Sequence, residues 1–157
     1  MKKILLVCTG NICRSPLAAA LMQRALTDRG ASEIDVSSAG TGAWDGAPVS
    51  EGAYLVGLEQ GLDLSGHRAR LLTRELVQES DLVLTMARHH RARVDELGGS
   101  GRVFVLGEFA GRERDAEVSD PFGGDLEVYR TTCTELETLV GAAVDRIVSE
   151  ARGGAER

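Results

Sequence analysis

Residues 3–29, KILLVCTGNICRSPLAAALMQRALTDR, decide the fold. Lys3 to Val7 is a short apolar run ending in a glycine turn, as a buried strand does. From Ser15 to Arg29, Leu17, Ala18, Leu21, Met22, Ala25 and Leu26 recur at helical spacing; Pro16 suits a first helical turn and Gly30 a stop. The stretch therefore reads as strand, tight loop, helix.

The same alternation continues. Ile34 to Ser38 reads as a second strand before a glycine-rich loop, Ala39 to Ala47, and a helix follows from about Pro48 to Gln60, ended by Gly61. Thr73 caps a short helix to Glu79, Asp81 to Thr85 is a third strand, Arg88 to Leu97 an exposed helix, and Arg102 to Leu106 a fourth strand. In the last helix Leu126, Tyr129, Cys133, Leu136, Val140, Ala143 and Ile147 step by threes and fours, one apolar stripe on an otherwise charged surface. Strands alternating with helices predict a single α/β domain over 1–152, with a polar tail at 153–157: a three-layer sandwich, its four-stranded parallel sheet in order 2-1-3-4 and helices on both faces. Ligands of such sheets bind beyond the carboxyl ends of the strands, where the winding reverses, and the Cys8 loop should sit there.

Composition narrows the chemistry. The chain has 157 residues, one domain's worth, and a formal net charge of −6. An acidic chain is a poor fit to a nucleic-acid partner. It does not exclude a phosphorylated substrate, because local donors dominate at hydrogen-bonding distance. Met1-Lys2-Lys3 and the apolar run after it are too short for a signal peptide, and no stretch approaches a membrane span. The expected compartment is cytoplasmic. Three cysteines make no disulfide framework, and Cys8, Cys13 and Cys133 lack the spacing of a zinc site, so neither a metal nor an organic cofactor is expected. The acidic helix surfaces suit a monomer or a weak dimer.

The segment Cys8-Thr9-Gly10-Asn11-Ile12-Cys13-Arg14-Ser15 carries the functional reading. A cysteine ends the strand, an arginine opens the helix, and a glycine and an asparagine permit positive φ between them. Such a loop turns its backbone N–H groups inward as an anion nest at a positive helix end. Arg14 adds a planar fork for two phosphate oxygens. Inward donors favour a thiolate, the competent nucleophile, and Ser15 can hydrogen-bond that sulfur. The bland alternative is a structural cysteine before an ordinary turn. Cys13 either packs behind the loop or forms a reversible disulfide with Cys8 that protects the nucleophile from over-oxidation. A thiolate displacing an alkoxide or phenoxide is helped by a proton donor, for which Asp120 in Ser119-Asp120-Pro121-Phe122-Gly123-Gly124 is the candidate; the alternative is a turn aspartate.

These motifs resemble the low-molecular-weight protein tyrosine phosphatase family, bacterial type. The likeness rests on VCTGNICRSP, on SSAGT at Ser37 to Thr41, on Gly66 to Arg70, on DLVLTM at Asp81, and on SDPFGG at Ser119. It implies Cys8 as nucleophile, Arg14 as phosphate clamp, and Asp120 as general acid and then as base for the hydrolytic water. It further implies Asn11, Ser15, Ser38 and His67 as the network holding the loop, and Trp44 and Phe122 as walls of the substrate cleft. The implied substrates are phosphorylated proteins, with inorganic phosphate or similar oxyanions occupying the loop.

The region around DPFGG and Tyr129 is also similar to the protein arginine phosphatase branch. That branch carries threonine where this chain has Ile12, which favours phosphotyrosine over phosphoarginine. Related arsenate reductases use the same loop with two further cysteines, but Leu82 through Arg93 holds none and Cys133 falls on a buried stripe. A non-catalytic phospho-ligand binder would need neither Cys8 nor Asp120. The basic run Arg88 to Arg93 is expected to be a solvated helix face, with recruitment of an acidic segment as the alternative.

Overall fold

Alternate side chains of one strand divide the core in two. In the computed structural model, which describes residues 1–155, strand β1 (Lys3–Cys8) sits inside the sheet. Ile4, Leu6 and Cys8 face one hydrophobic cluster, Leu5 and Val7 the other. This is what a period-2 strand buried on both faces must do. Strands β2 (Asp35–Gly40), β3 (Leu82–Thr85) and β4 (Val103–Val105) complete an all-parallel sheet in the order β2-β1-β3-β4.

Helix α1 (Arg14–Asp28) buries Leu17, Ala18, Leu21, Met22 and Leu26 against the first cluster. It ends at Gly30, whose φ of 74° is the left-handed turn that glycine makes at little cost. Helix α2 is Glu51–Glu59, α3 Arg74–Glu79, α4 Arg88–Glu96, α5 Leu106–Phe109 and α6 Leu126–Ala155. Helix α6 packs along α1 through its stripe of Tyr129, Cys133, Leu136, Val140, Ala143 and Ile147. Val77 of α3 and Val94 of α4 close the opposite face with Leu72. Among the described residues, no helix is long and apolar enough to cross a membrane.

Four expectations shift. Helix α2 starts three residues after Pro48, with the Ser50 hydroxyl accepting the Ala53 N–H as its cap. Pro48 is instead drawn into an antiparallel bridge with Arg68, where the Ala47 carbonyl accepts the Ala69 N–H at 2.8 Å. Strand β2 runs on to Gly40, because Cys8 pairs with it there. The fourth strand ends at Val105, and Leu106 opens the one-turn helix α5, too short to show a helical period. Helix α6 continues through Ala155, into the stretch expected as tail; residues 156 and 157 lie outside the described residues.

Candidate active site

Cys8 is the last residue of β1 and only 2% exposed. Its Sγ lies 2.9 Å from the Ser15 hydroxyl and accepts the Asn11 backbone N–H at 3.3 Å. Between them the chain turns through Asn11 at φ 56°, a left-handed conformation that asparagine tolerates better than most residues. Gly10 is not among the positive-φ glycines, so the turn rests on Asn11.

Four bonds hold Asn11 in that conformation. Its Nδ2 donates to Ser15 Oγ at 2.8 Å and to Ser38 Oγ at 2.9 Å. Its Oδ1 accepts the Arg70 N–H at 3.0 Å, and its carbonyl accepts from His67 Nε2 at 2.6 Å. Because Ser15 Oγ already accepts from Asn11, its own hydrogen is free for the Cys8 sulfur. Burial pushes the His67 pKa down, with Arg68 and Arg70 acting the same way, so the ring is a neutral Nε2–H donor. Ser38 sits within β2 and His67 on the loop before α3, so three segments far apart in sequence converge on one asparagine.

The loop and the segment before α6 enclose a cavity of about 210 Å³, lined by Cys8, Ile12, Cys13 and Arg14 with Asp120 and Phe122 across from them. A larger hollow of about 510 Å³ lies between Arg29 and the end of α6; no cysteine lines it, so the thiol chemistry belongs to the smaller one. The Arg14 side chain is 6% exposed, and its Nη1 donates to the Val118 carbonyl at 2.9 Å. Its Nη2 faces Thr9 Oγ1 at 3.5 Å and Asp120 Oδ2 at 3.7 Å. Asp120 is half exposed, and its Oδ1 accepts the Phe122 N–H at 3.1 Å, which leaves Oδ2 turned towards Arg14 and the cavity. Phe122 forms an exposed apolar rim. Trp44 does not join it: the residue is 85% exposed and lines no part of this cavity.

All three cysteines are free thiols. Cys13 Sγ lies 3.1 Å from the Ser50 hydroxyl and 3.4 Å from the Tyr129 hydroxyl, tying the start of α1 to α2 and α6. Burial pushes the Cys13 thiol up and the Tyr129 phenol to about 12, so both groups are neutral. Sequence reasoning assigned neither Ser50 nor Tyr129 to the site. It also placed His90 on a solvated face, whereas this side chain is fully buried and its Nε2 is 2.8 Å from Thr9 Oγ1. The available signal was its spacing of four from Val94, the other buried residue of α4.

Gly40 sets the loop from the neighbouring strand. A Cβ there would overlap the Thr9 carbonyl oxygen and stand 2.9 Å from the Asn11 nitrogen, both backbone atoms. Gly40→Ala is therefore expected to cost about 1–3 kcal/mol, as overpacking does, read as a lowered urea midpoint. It should weaken inorganic phosphate binding as well, because the atoms that must yield belong to the anion loop.

Residues 3–152 match the family model described as low molecular weight phosphotyrosine protein phosphatase. The chain belongs to this family. The protein-arginine-phosphatase of Geobacillus stearothermophilus is 36% identical over 94% of this chain and 97% of its own length. The low molecular weight protein-tyrosine-phosphatase Wzb of Escherichia coli K12 is 38% identical over 85% of this chain and 87% of its own. Among solved structures, a mutant of the YwlE arginine phosphatase with a phosphorylated active-site serine superposes with a TM-score of 0.89 at 33% identity, covering 96% of this chain and 98% of that one. Family members acting on two kinds of phosphorylated side chain are thus similar to this phosphatase across nearly its whole length.

Proposed function

We propose that this phosphatase hydrolyses phosphotyrosine in proteins through a cysteinyl-phosphate at Cys8. The observation that carries the reading is the position of the Cys8 sulfur. It meets the Ser15 and Asn11 donors at the floor of a cavity whose opposite side holds Asp120. The phosphoryl group enters the loop with Arg14 on its flank. Cys8 Sγ attacks phosphorus, the P–O bond to the phenol breaks, and Asp120 Oδ2 passes a proton to the leaving oxygen. Asp120 then takes a proton from water as the water attacks phosphorus; the S–P bond breaks and inorganic phosphate leaves. The phosphorylated serine of the YwlE mutant supports covalent transfer in this fold. Three free thiols suit a reducing compartment, and we place the protein in the cytosol.

Substrate choice rests on Ile12 and Phe122. Both line the cavity with apolar surface, which suits the face of a phenyl ring. The N–H groups of a phosphorylated guanidine would find no acceptor on an isoleucine side chain. Phosphoarginine is the second reading, favoured by the near full-length similarity to an arginine phosphatase. Phosphate release from matched phosphotyrosyl and phosphoarginyl peptides separates the two. Wild type is expected to prefer phosphotyrosine by about tenfold or more in kcat/KM, and Ile12→Thr to narrow that ratio, since one apolar contact exchanged for a polar one is worth about 1–3 kcal/mol. Faster release from the phosphoarginyl peptide by wild type would reverse the assignment.

A further inference from the structure

His90 is the one buried charge-capable member of the basic run on α4, and its hydrogen bonds fix where its proton lies. Its Nδ1 accepts the Ala87 backbone N–H at 3.1 Å, one of the donors that a helix start leaves unpaired. A nitrogen that accepts carries no hydrogen, so the ring proton of the neutral imidazole is on Nε2. Nε2 therefore donates to Thr9 Oγ1 at 2.8 Å. On its other side Thr9 Oγ1 has Arg14 Nη2 at 3.5 Å, and a guanidinium only donates. Both polar neighbours of this hydroxyl are thus donors. Its own hydrogen has no acceptor among the described residues, and Thr9 lies on the wall of the Cys8 cavity.

We propose that the Thr9 hydroxyl is a further donor to the bound phosphoryl group, and that His90 is the positioning residue that turns it there. The inference rests on the phosphatase reading only in naming a phosphoryl oxygen as the acceptor. Two N–H groups pointing at Oγ1 leave the hydroxyl one useful orientation, away from both and towards an anion held by Arg14. The loop amides and Arg14 would supply the main charge; Thr9 adds a neutral donor that needs no reorientation when the anion arrives. Burial, with the nearby charges of His89 and Arg14, holds the ring pKa near 3, so this polarity does not invert over the neutral range.

Inorganic phosphate binding, followed by calorimetry, tests the proposal without requiring turnover. Thr9→Val keeps the shape and removes the hydroxyl; it is expected to weaken phosphate about ten- to a hundredfold, the scale of a hydrogen bond to a charged group. Thr9→Ser should stay within a few-fold of wild type. His90→Leu should weaken phosphate in the wild-type background and have almost no further effect in Thr9→Val, because its influence passes through the hydroxyl. His90→Gln, which can still present an N–H, should recover most of the affinity and serves if the leucine variant is unstable. Unchanged phosphate affinity in Thr9→Val overturns the proposal. Equal losses from the His90 variants in both backgrounds reduce His90 to a helix cap. A protein that binds phosphate in this pattern but releases none from phosphotyrosyl peptides would refute the catalytic reading and leave this one standing.

Discussion

Cys8→Ser is expected to abolish phosphate release from phosphotyrosyl peptides and p-nitrophenyl phosphate, on the order of 10⁴–10⁶-fold, as loss of a nucleophile does. Serine fits the 2% exposed position, so the variant should fold and bind phosphate much as wild type does. What it lacks is an ionisable sulfur. The donors from Ser15 and Asn11 leave an alcohol there a poor nucleophile at neutral pH, and any phosphate it accepts, as in the YwlE mutant, is held because an alkoxide is a poor leaving group. Phosphate binding and turnover should therefore separate. A variant still turning over at a hundredth of the wild-type rate, with no phosphate found on position 8 by mass spectrometry, would show that another group attacks phosphorus.

Cys13 makes that alternative concrete, and its surroundings argue against it. It lines the same cavity, yet its sulfur contacts two hydroxyls from α2 and α6, and burial raises its pKa. Cys8 contacts a loop amide and a hydroxyl already committed to donating. Two cysteines five residues apart are thus given opposite tasks by their partners. One is presented to an anion-binding nest and the other fastens helices together. A Cys13 substitution that changes stability more than turnover would fit this division.

The fold was legible because its signals are local. β1, the Cys8 loop and α1 follow from a buried apolar run, a turn and a helical stripe within 27 residues, and the strand order 2-1-3-4 appears as expected. The site was legible only in part. Cys8, Arg14 and Asp120 carry recognisable chemistry, and Cys8, Arg14 and Asp120 do meet around one cavity. Ser38 and His67 came from family resemblance alone, because nothing in a strand-end serine or a loop histidine announces that both will bond Asn11. His90, Ser50 and Tyr129 were missed for a related reason. Each acts through a tertiary hydrogen bond to the loop, across 37 to 116 residues of sequence. The position of Pro48 shows the same limit for backbone: its N-terminal helix propensity yields to a bridge with Arg68 that only the folded chain provides.

Asp120→Asn should slow hydrolysis of phenyl phosphate by about 10²–10⁴-fold, the contribution of a positioned acid, and that of p-nitrophenyl phosphate much less in the first step. Phenoxide is a poor leaving group that needs the proton from Oδ2, whereas p-nitrophenoxide departs largely without it. The asparagine retains an oxygen for the Phe122 N–H, so the turn before α6 should survive and the comparison reports on chemistry. The second half-reaction should suffer with either ester, since the same oxygen is to take the proton from the attacking water. With p-nitrophenyl phosphate the variant should therefore release one equivalent of p-nitrophenol in a burst and then stall at the cysteinyl-phosphate. A loss of the same size for both esters, with no burst, would point elsewhere. It would mean that Asp120 matters through the 3.7 Å pair with Arg14, steadying the guanidinium and moving no proton.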